Sequence, residues 1–429
     1  MRESSDHRHN ATLTLGCRTP EALAFGGALL VMLAVCSLSS AADGRPAAAS
    51  QPVEESVIES VDLLSMEIPT VVTASRREQK ITTVPYAMTV ITAEDIRRSG
   101  ARSVPDALRL AAGVDVAELS HGNYAVSPRG FHGFFSDKVV VLVDGRQIYD
   151  TIYGGTPWGN WAFQLEDVDR IEVIRGPGGV TWGANAVNGV INVITRDPKD
   201  QLGLTAAGGG GSRGTSKEHV GYAFEIDKLR MRISSEYEGG DGFKGERSFR
   251  GGSNDEYDAL RANVHAVIEP TEKDSVTLSG GSAATRGNWP ALAYPGQCTR
   301  TPQAQSNFLM GRWNHEIEKD NNIDLTGYVN DFYGVAEMSF MEYRYQQFAL
   351  ELSHAFKPAD RHTVTWGVDT RWDLTSTANS DPSVLDKSIV RSGDIGLYAQ
   401  DEWRFADRWA LNLGGRVDYD FYGGFQPSG

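Results

Sequence analysis

Nine residues stand out for the chemistry they could do. His121, Tyr124, Phe131, His132, Phe134, Phe135, Tyr153, Trp158 and Trp161 fall within 41 positions, in stretches broken by Gly, Asn and Pro. Aromatic faces with a few imidazoles suit flat organic groups such as catechols, corrins or heterocycles. The same rings could equally pack against a neighbouring wall. Farther along, Arg286, Trp289, Tyr294 and Arg300 share a segment without acids, which favours an anionic chelate as the bound species. Nothing points to catalysis. Gly208-Gly209-Gly210-Gly211-Ser212 lacks the Lys-Ser/Thr of a phosphate-cradling loop, the histidines show no His-x-x-x-His spacing, and no Gly-x-Ser-x-Gly elbow occurs. We expect no enzyme, no cofactor and no resident metal.

The elements that must position these residues fall into two textures. Over 84–198, short β-branched runs alternate with short helices, giving a small α+β domain. Thr92-Ala93-Glu94-Asp95 predicts a capping box opening a helix that Gly100 closes, and Ser103 opens another that extends to Gly113. Met88–Ile91, Val139–Val143, Ile171–Ile174 and Val190–Ile194 predict strands.

After position 199, apolar and polar residues alternate in long runs, as in Val364-Thr365-Trp366-Gly367-Val368-Asp369. Eleven such runs begin near Leu202, Glu218, Leu229, Glu256, Asp274, Ser306, Asn321, Phe340, Arg361, Asp394 and Trp409. Every second link is a tight turn, and several others are long and rich in Gly, Pro and Asn. Short turns at one end and long loops at the other predict an antiparallel transmembrane β-barrel, because lipid demands closed backbone hydrogen bonding.

Composition agrees with export and with a non-nucleic-acid role. The formal charge of −15 excludes a generic nucleic-acid surface. Arg2, Arg8 and Arg18 precede an apolar small-residue run over 22–38 and a Ser40-Ala41-Ala42 cleavage site, so residues 1–42 read as a signal peptide and 43–66 as a mobile periplasmic tail. Two of the three cysteines lie in that leader, leaving no disulfide framework.

The small domain resembles the plug of TonB-dependent outer-membrane receptors. The resemblance rests on Val90-Ile91-Thr92-Ala93-Glu94-Asp95-Ile96, Arg129-Gly130-Phe131, Leu142-Val143-Asp144-Gly145, Arg170-Ile171-Glu172-Val173-Ile174-Arg175-Gly176-Pro177 and the run from Trp182-Gly183 to Val193-Ile194-Thr195. It implies an α+β plug over 75–198 followed by barrel strands over 199–429, in the outer membrane of a Gram-negative cell. It also implies active import of a scarce solute, such as a ferric siderophore or similar metal chelate, driven by TonB and its inner-membrane energising complex. Residues 67–74, Glu67-Ile68-Pro69-Thr70-Val71-Val72-Thr73-Ala74, resemble the TonB box, with Ile68 to Thr73 as the TonB-binding strand. A β-branched extended segment can add to a partner's sheet edge; it could also be the first plug strand. Arg129, Arg170, Glu172 and Arg175 are expected to meet the polar barrel wall. A signalling receptor is the alternative, although 24 residues of tail before the box are few for a relay domain. Twenty-two family strands would need about 440 residues at roughly 20 each, so we expect about half a barrel, from a fragment of such a receptor.

Overall fold

The plug sheet forms where β-branched residues alternate between two buried faces. In the computed structural model, which describes residues 69–130, 138–183, 185–242, 256–287, 303–335, 342–380, 388–406 and 409–428, the chain opens with the short pair β1 (Thr70–Val71) and β2 (Gln79–Lys80). There follow β3 (Ala87–Thr92), helices α1 (Ala93–Ser99) and α2 (Val104–Leu108), and the hairpin β4 (Val114–Ser120) and β5 (Asn123–Pro128). Next come β6 (Val139–Val143), β7 (Arg146–Gln147), β8 (Val168–Arg175), helix α3 (Gly179–Trp182) and β9 (Gly189–Thr195). Five of these strands make one mixed sheet in the order β3-β8-β9-β6-β7, in which only β6 and β9 run parallel.

The predicted strands and the first helix are present. Thr92 caps α1 with the reciprocal bonds of a capping box, and Gly100 ends it at φ 71°. The second helix stops at Leu108 instead of reaching Gly113: beyond it the Leu110 and Ala111 amides bond the carbonyls three residues back, and Gly113 takes φ 76° at the entry to β4. Ile171, Val173, Ile191 and Val193 turn into the main core with Val139, Val141 and Val143.

Twelve antiparallel strands then form one meandering sheet, each paired with its sequence neighbours. They are β10 (Gly203–Gly210), β11 (Ser216–Ile226), β12 (Leu229–Gly240), β13 (Tyr257–Thr271), β14 (Asp274–Gly287) and β15 (Gln303–Glu318). The second half comprises β16 (Asn321–Val335), β17 (Glu342–Ala359), β18 (His362–Ser376), β19 (Ile389–Ala406), β20 (Trp409–Asp420) and β21 (Gly424–Ser428). The last corrects the expected eleven to twelve. Gln426-Pro427-Ser428 reads as a loop because proline cannot donate to a ladder, but β21 pairs only with β20, where an edge strand tolerates it. Two-residue turns need a left-handed residue, and Asp227 and Asp320 supply it at φ 54° and 63°.

The two faces of this sheet are the reverse of a soluble protein's. Along β17, Phe348, Leu350 and Leu352 are exposed while Gln347 and Ser353 are buried; along β19 and β20, Leu397, Leu411 and Leu413 face outward and Arg416 and Asp418 inward. An apolar exterior around a polar interior is the pattern of a membrane barrel. No helix among the described residues is long and apolar enough to cross a membrane, which says nothing of strands.

Candidate functional site

The segment that resembles a TonB box is folded into the plug. Ile68 lies outside the described residues. Pro69 accepts a bond from the Ile81 amide at 3.0 Å, Thr70 pairs with Lys80, and Val71, fully buried, pairs with Gln79. The chain then turns along Glu172. The Val72 and Thr73 amides donate to its carboxylate at 3.1 and 2.9 Å, and the Thr73 hydroxyl donates to the same oxygen. Trp182 Nε1 donates to the Thr73 carbonyl at 2.8 Å, and Asn192 Nδ2 to Thr73 Oγ1 at 3.1 Å. From 70 to 73, therefore, the box is seated in the plug, a two-residue strand followed by a turn, and not part of a mobile tail.

The local sequence explains the seat. Arg170 and Glu172 alternate with Ile171 on β8, so both polar side chains share one face while Ile171 enters the core. Asn192 stands directly opposite Glu172 on β9. Arg170 Nε bonds Glu172 Oε1 at 3.0 Å and leaves Oε2 to the box.

Two arginines then carry the chain onto the barrel wall. Arg76, at φ 56°, pairs with Glu351 of β17 and lies 3.7 Å from Asp369 of β18. Its guanidinium sits between Trp182 and Tyr398, 4.4 and 4.6 Å from the ring centroids, and donates to the Thr181 carbonyl at 2.6 Å. Arg77 pairs with Glu402 of β19. Cavities of about 420 and 270 Å³ lie between plug and wall, and Arg76, Gly145, Trp182 and Glu351 border both.

The four charges expected at the wall are placed differently. Arg175 donates to the Ala112 carbonyl at 2.6 Å, Arg129 folds over Gly176, and Glu172 binds the box, so their contacts described here lie within the plug. Arg170 bonds Asp169 and Glu172, although it also borders the larger cavity with Arg230 and Arg312 of the wall. Wall contacts fall instead to Arg76, Arg77, Arg146, Asp150, Asn160 and Asp167. Arg146 donates to Asn330 at 2.7 Å, Asp150 accepts from Tyr343 at 3.0 Å, Ser306 donates to the Asn160 carbonyl at 2.6 Å, and Ser234 donates to Asp167 at 2.6 Å. Burial holds the Asp150 carboxyl above the usual range, against the bonds from Tyr153, Ile152 and Tyr343 that favour its charged form. The Arg76-Arg77 doublet beside the box was the one available signal.

The expected ligand aromatics divide. Phe131, His132, Phe134 and Phe135 lie outside the described residues. Trp161 is fully buried 5.9 Å from Phe332, Trp158 stands 6.5 Å from Phe163, His121 lies 5.3 Å from Tyr257, and Tyr124 is core. His121, Tyr124, Trp158 and Trp161 are thus all buried, and Tyr124 and Trp158 line a small cavity. Tyr153 packs edge-on against Tyr343 and lines a small cavity of about 30 Å³.

A plug carried inside a polar-lined strand sheet is what the comparisons match. The TonB-dependent Receptor Plug Domain model matches residues 80–190, and the TonB dependent receptor-like, beta-barrel model matches 194–429. The chain belongs to the TonB-dependent receptor family. This is a family of receptors and transporters, not of enzymes.

Among curated relatives, the "Iron-regulated outer membrane virulence protein" of Vibrio cholerae is 25% identical over 372 residues, 82% of this chain and 54% of that protein. "Vitamin B12 transporter BtuB" of Vibrio vulnificus is 36% identical over 142 residues, 33% of this chain and 23% of that one. The chain thus spans about half the length of the first of these relatives and a smaller share of the second. The siderophore receptor PirA from Acinetobacter baumannii superposes with a TM-score of 0.63 at 16% identity, over 79% of this chain and 57% of that one. A ferric enterobactin receptor from Pseudomonas aeruginosa gives 0.64 at 15%, over 81% and 59%. At such identities the likeness is one of fold.

Proposed function

We propose that this chain works in TonB-dependent import across the outer membrane, with Ile68 to Thr73 as the strand that TonB engages and a ferric siderophore or similar metal chelate as cargo. The observation that carries the reading is the seat of Val72 and Thr73 on Glu172: backbone donors held by one carboxylate are available to a partner strand once that carboxylate lets go. Arg76 follows three residues later, wedged between the two wall cavities. A pull on the box draws Arg76 from Glu351 and joins those cavities along the wall. The iron-regulated relative favours an iron chelate over cobalamin, because it matches most of this chain whereas the B12 transporter matches a third. Residues 1–42 serve as the export signal in this reading.

The test is uptake of a panel of ferric siderophores and cobalamin, each radiolabelled, in cells with and without TonB. Uptake is expected for a ferric siderophore and only with TonB. Val71→Pro removes the Val71 amide from the box and is expected to abolish uptake while cell-surface binding persists. Uptake that is unchanged in this variant would sink the assignment of the box.

A further inference from the structure

A second polar cluster, remote from the box, joins plug to wall. Glu166 sits in the turn Leu165–Asp167 that leads into β8. His219 and Glu236 are direct partners across β11 and β12. One ligand atom from each of the three lies within 4.8 Å of the others. His219 is 4% exposed and Glu236 1%. Neither ring nitrogen of His219 has a hydrogen-bond partner, while Glu166 Oε2 and Glu236 Oε2 face the Lys217 ammonium. Buried imidazole nitrogens rarely go without partners. Glu236 Oε1 is taken by Arg261 at 2.8 Å, which fixes the carboxylate and leaves Oε2 turned toward the cluster. The His219 ring lies over Gly221, where a Cβ would come within 3.3 Å of Nε2.

We propose that Glu166, His219 and Glu236 hold a divalent transition-metal ion of the zinc class, bolting plug to wall. One imidazole and two carboxylates select zinc, nickel or copper over calcium or magnesium, which take oxygen ligands alone. Bonds of about 2.1 Å put tetrahedral ligands about 3.4 Å apart, so the three side chains close by roughly 1 Å on the ion. A fourth place is open to water or to Asp167, whose Oδ1 is 3.9 Å from His219 Nε2 and 3.2 Å from Arg232. Arg261 on Glu236 is the outer support such ligands need.

Lys217 stands in for the cation. Its ammonium is 3.2 Å from Glu236 and 3.5 Å from Glu166, and it also donates to the Arg102 carbonyl at 2.9 Å. That carbonyl holds the ammonium when the ion displaces it from the carboxylates. Lys217 therefore competes with the metal, which gives the proposal a test that misfolding cannot imitate. No spacing in the sequence announces the site, because its plug ligand lies 53 positions before His219.

The experiment uses the whole chain in detergent, purified on a tag without histidine, stripped with chelator and titrated with Zn²⁺ against a chromogenic competitor. One tight equivalent is expected, with His219→Ala and Glu166→Gln each weakening binding tenfold or more, and Lys217→Met tightening it severalfold. X-ray absorption should show one imidazole among oxygen ligands. Zn²⁺ should slow proteolysis of the plug in the parent chain and not in His219→Ala. Equal binding by the parent and His219→Ala, no tight equivalent, or no tightening in Lys217→Met overturns the proposal.

Discussion

Two of the plug's fastenings to the wall are opposite in character. At one, Trp161 packs on Phe332, which stacks on Tyr345 at 5.1 Å and on Tyr343 at 5.7 Å. At the other, the box and its two arginines are held by carboxylates: Glu172 under Val72 and Thr73, Glu351 beside Arg76, Glu402 beside Arg77. Apolar burial is non-directional and resists loss gradually. Hydrogen bonds to a strand's backbone can be exchanged, one for one, for those of another strand. In the proposed import, the aromatic patch is the permanent seat and the carboxylate row is the part that releases.

The largest effect should come from breaking the permanent seat. Trp161→Ala opens a large cavity at a fully buried site and is expected to cost about 3–5 kcal/mol. Measured by denaturant melts in detergent, the loss should appear as a plug that unfolds earlier than the sheet. A shift below about 1 kcal/mol would mean that the aromatic patch is not what seats the plug.

Releasing the box should cost less and act locally. Glu172→Ala strands the Val72 and Thr73 amides and leaves Arg170 beside Asp169 alone. Unsatisfied buried donors cost about 1–3 kcal/mol, so amide exchange at Val72 and Thr73 should quicken by roughly ten- to a hundredfold. Exchange in β9 should hold. If Val72 and Thr73 keep their protection, the seat is elsewhere and the comparison fails.

The sequence made the architecture legible and the contacts only in part. β-branched runs with Gly and Asp punctuation announce the plug strands, and strict alternation announces the wall, because both signals are local. Glu172 illustrates what is not local. Its alternation with Ile171 and Val173 places it off the core face, but whether it meets the wall or a strand about 100 residues earlier depends on how the chain returns. The burial of the aromatics is hidden for a similar reason: in a domain confined within a barrel, loop residues such as Trp158 and Trp161 meet a second wall, so loop location no longer implies exposure. Pro427 misled because a breaker in a central strand is acceptable at an edge.

The smallest effect lies at the cap of α1, a region that touches neither fastening. The Thr92 hydroxyl and then the Thr92 amide hold the Asp95 carboxyl below its usual 3.8, in a mostly exposed setting. Because the folded value is lowered, the cap's contribution is present above that ordinary value and is lost as pH falls through the folded one. Asp95→Asn should cost about 0.5–1 kcal/mol at neutral pH and nothing once the parent's carboxyl is protonated. Parallel melts of the two proteins at neutral pH and well below pH 3.8 measure this directly. If the gap persists in acid, the cap works by shape and hydrogen bonding alone. If instead the gap closes while exchange at Val72 and Thr73 is unchanged, the helix is independent of the box, as two fastenings of different character require.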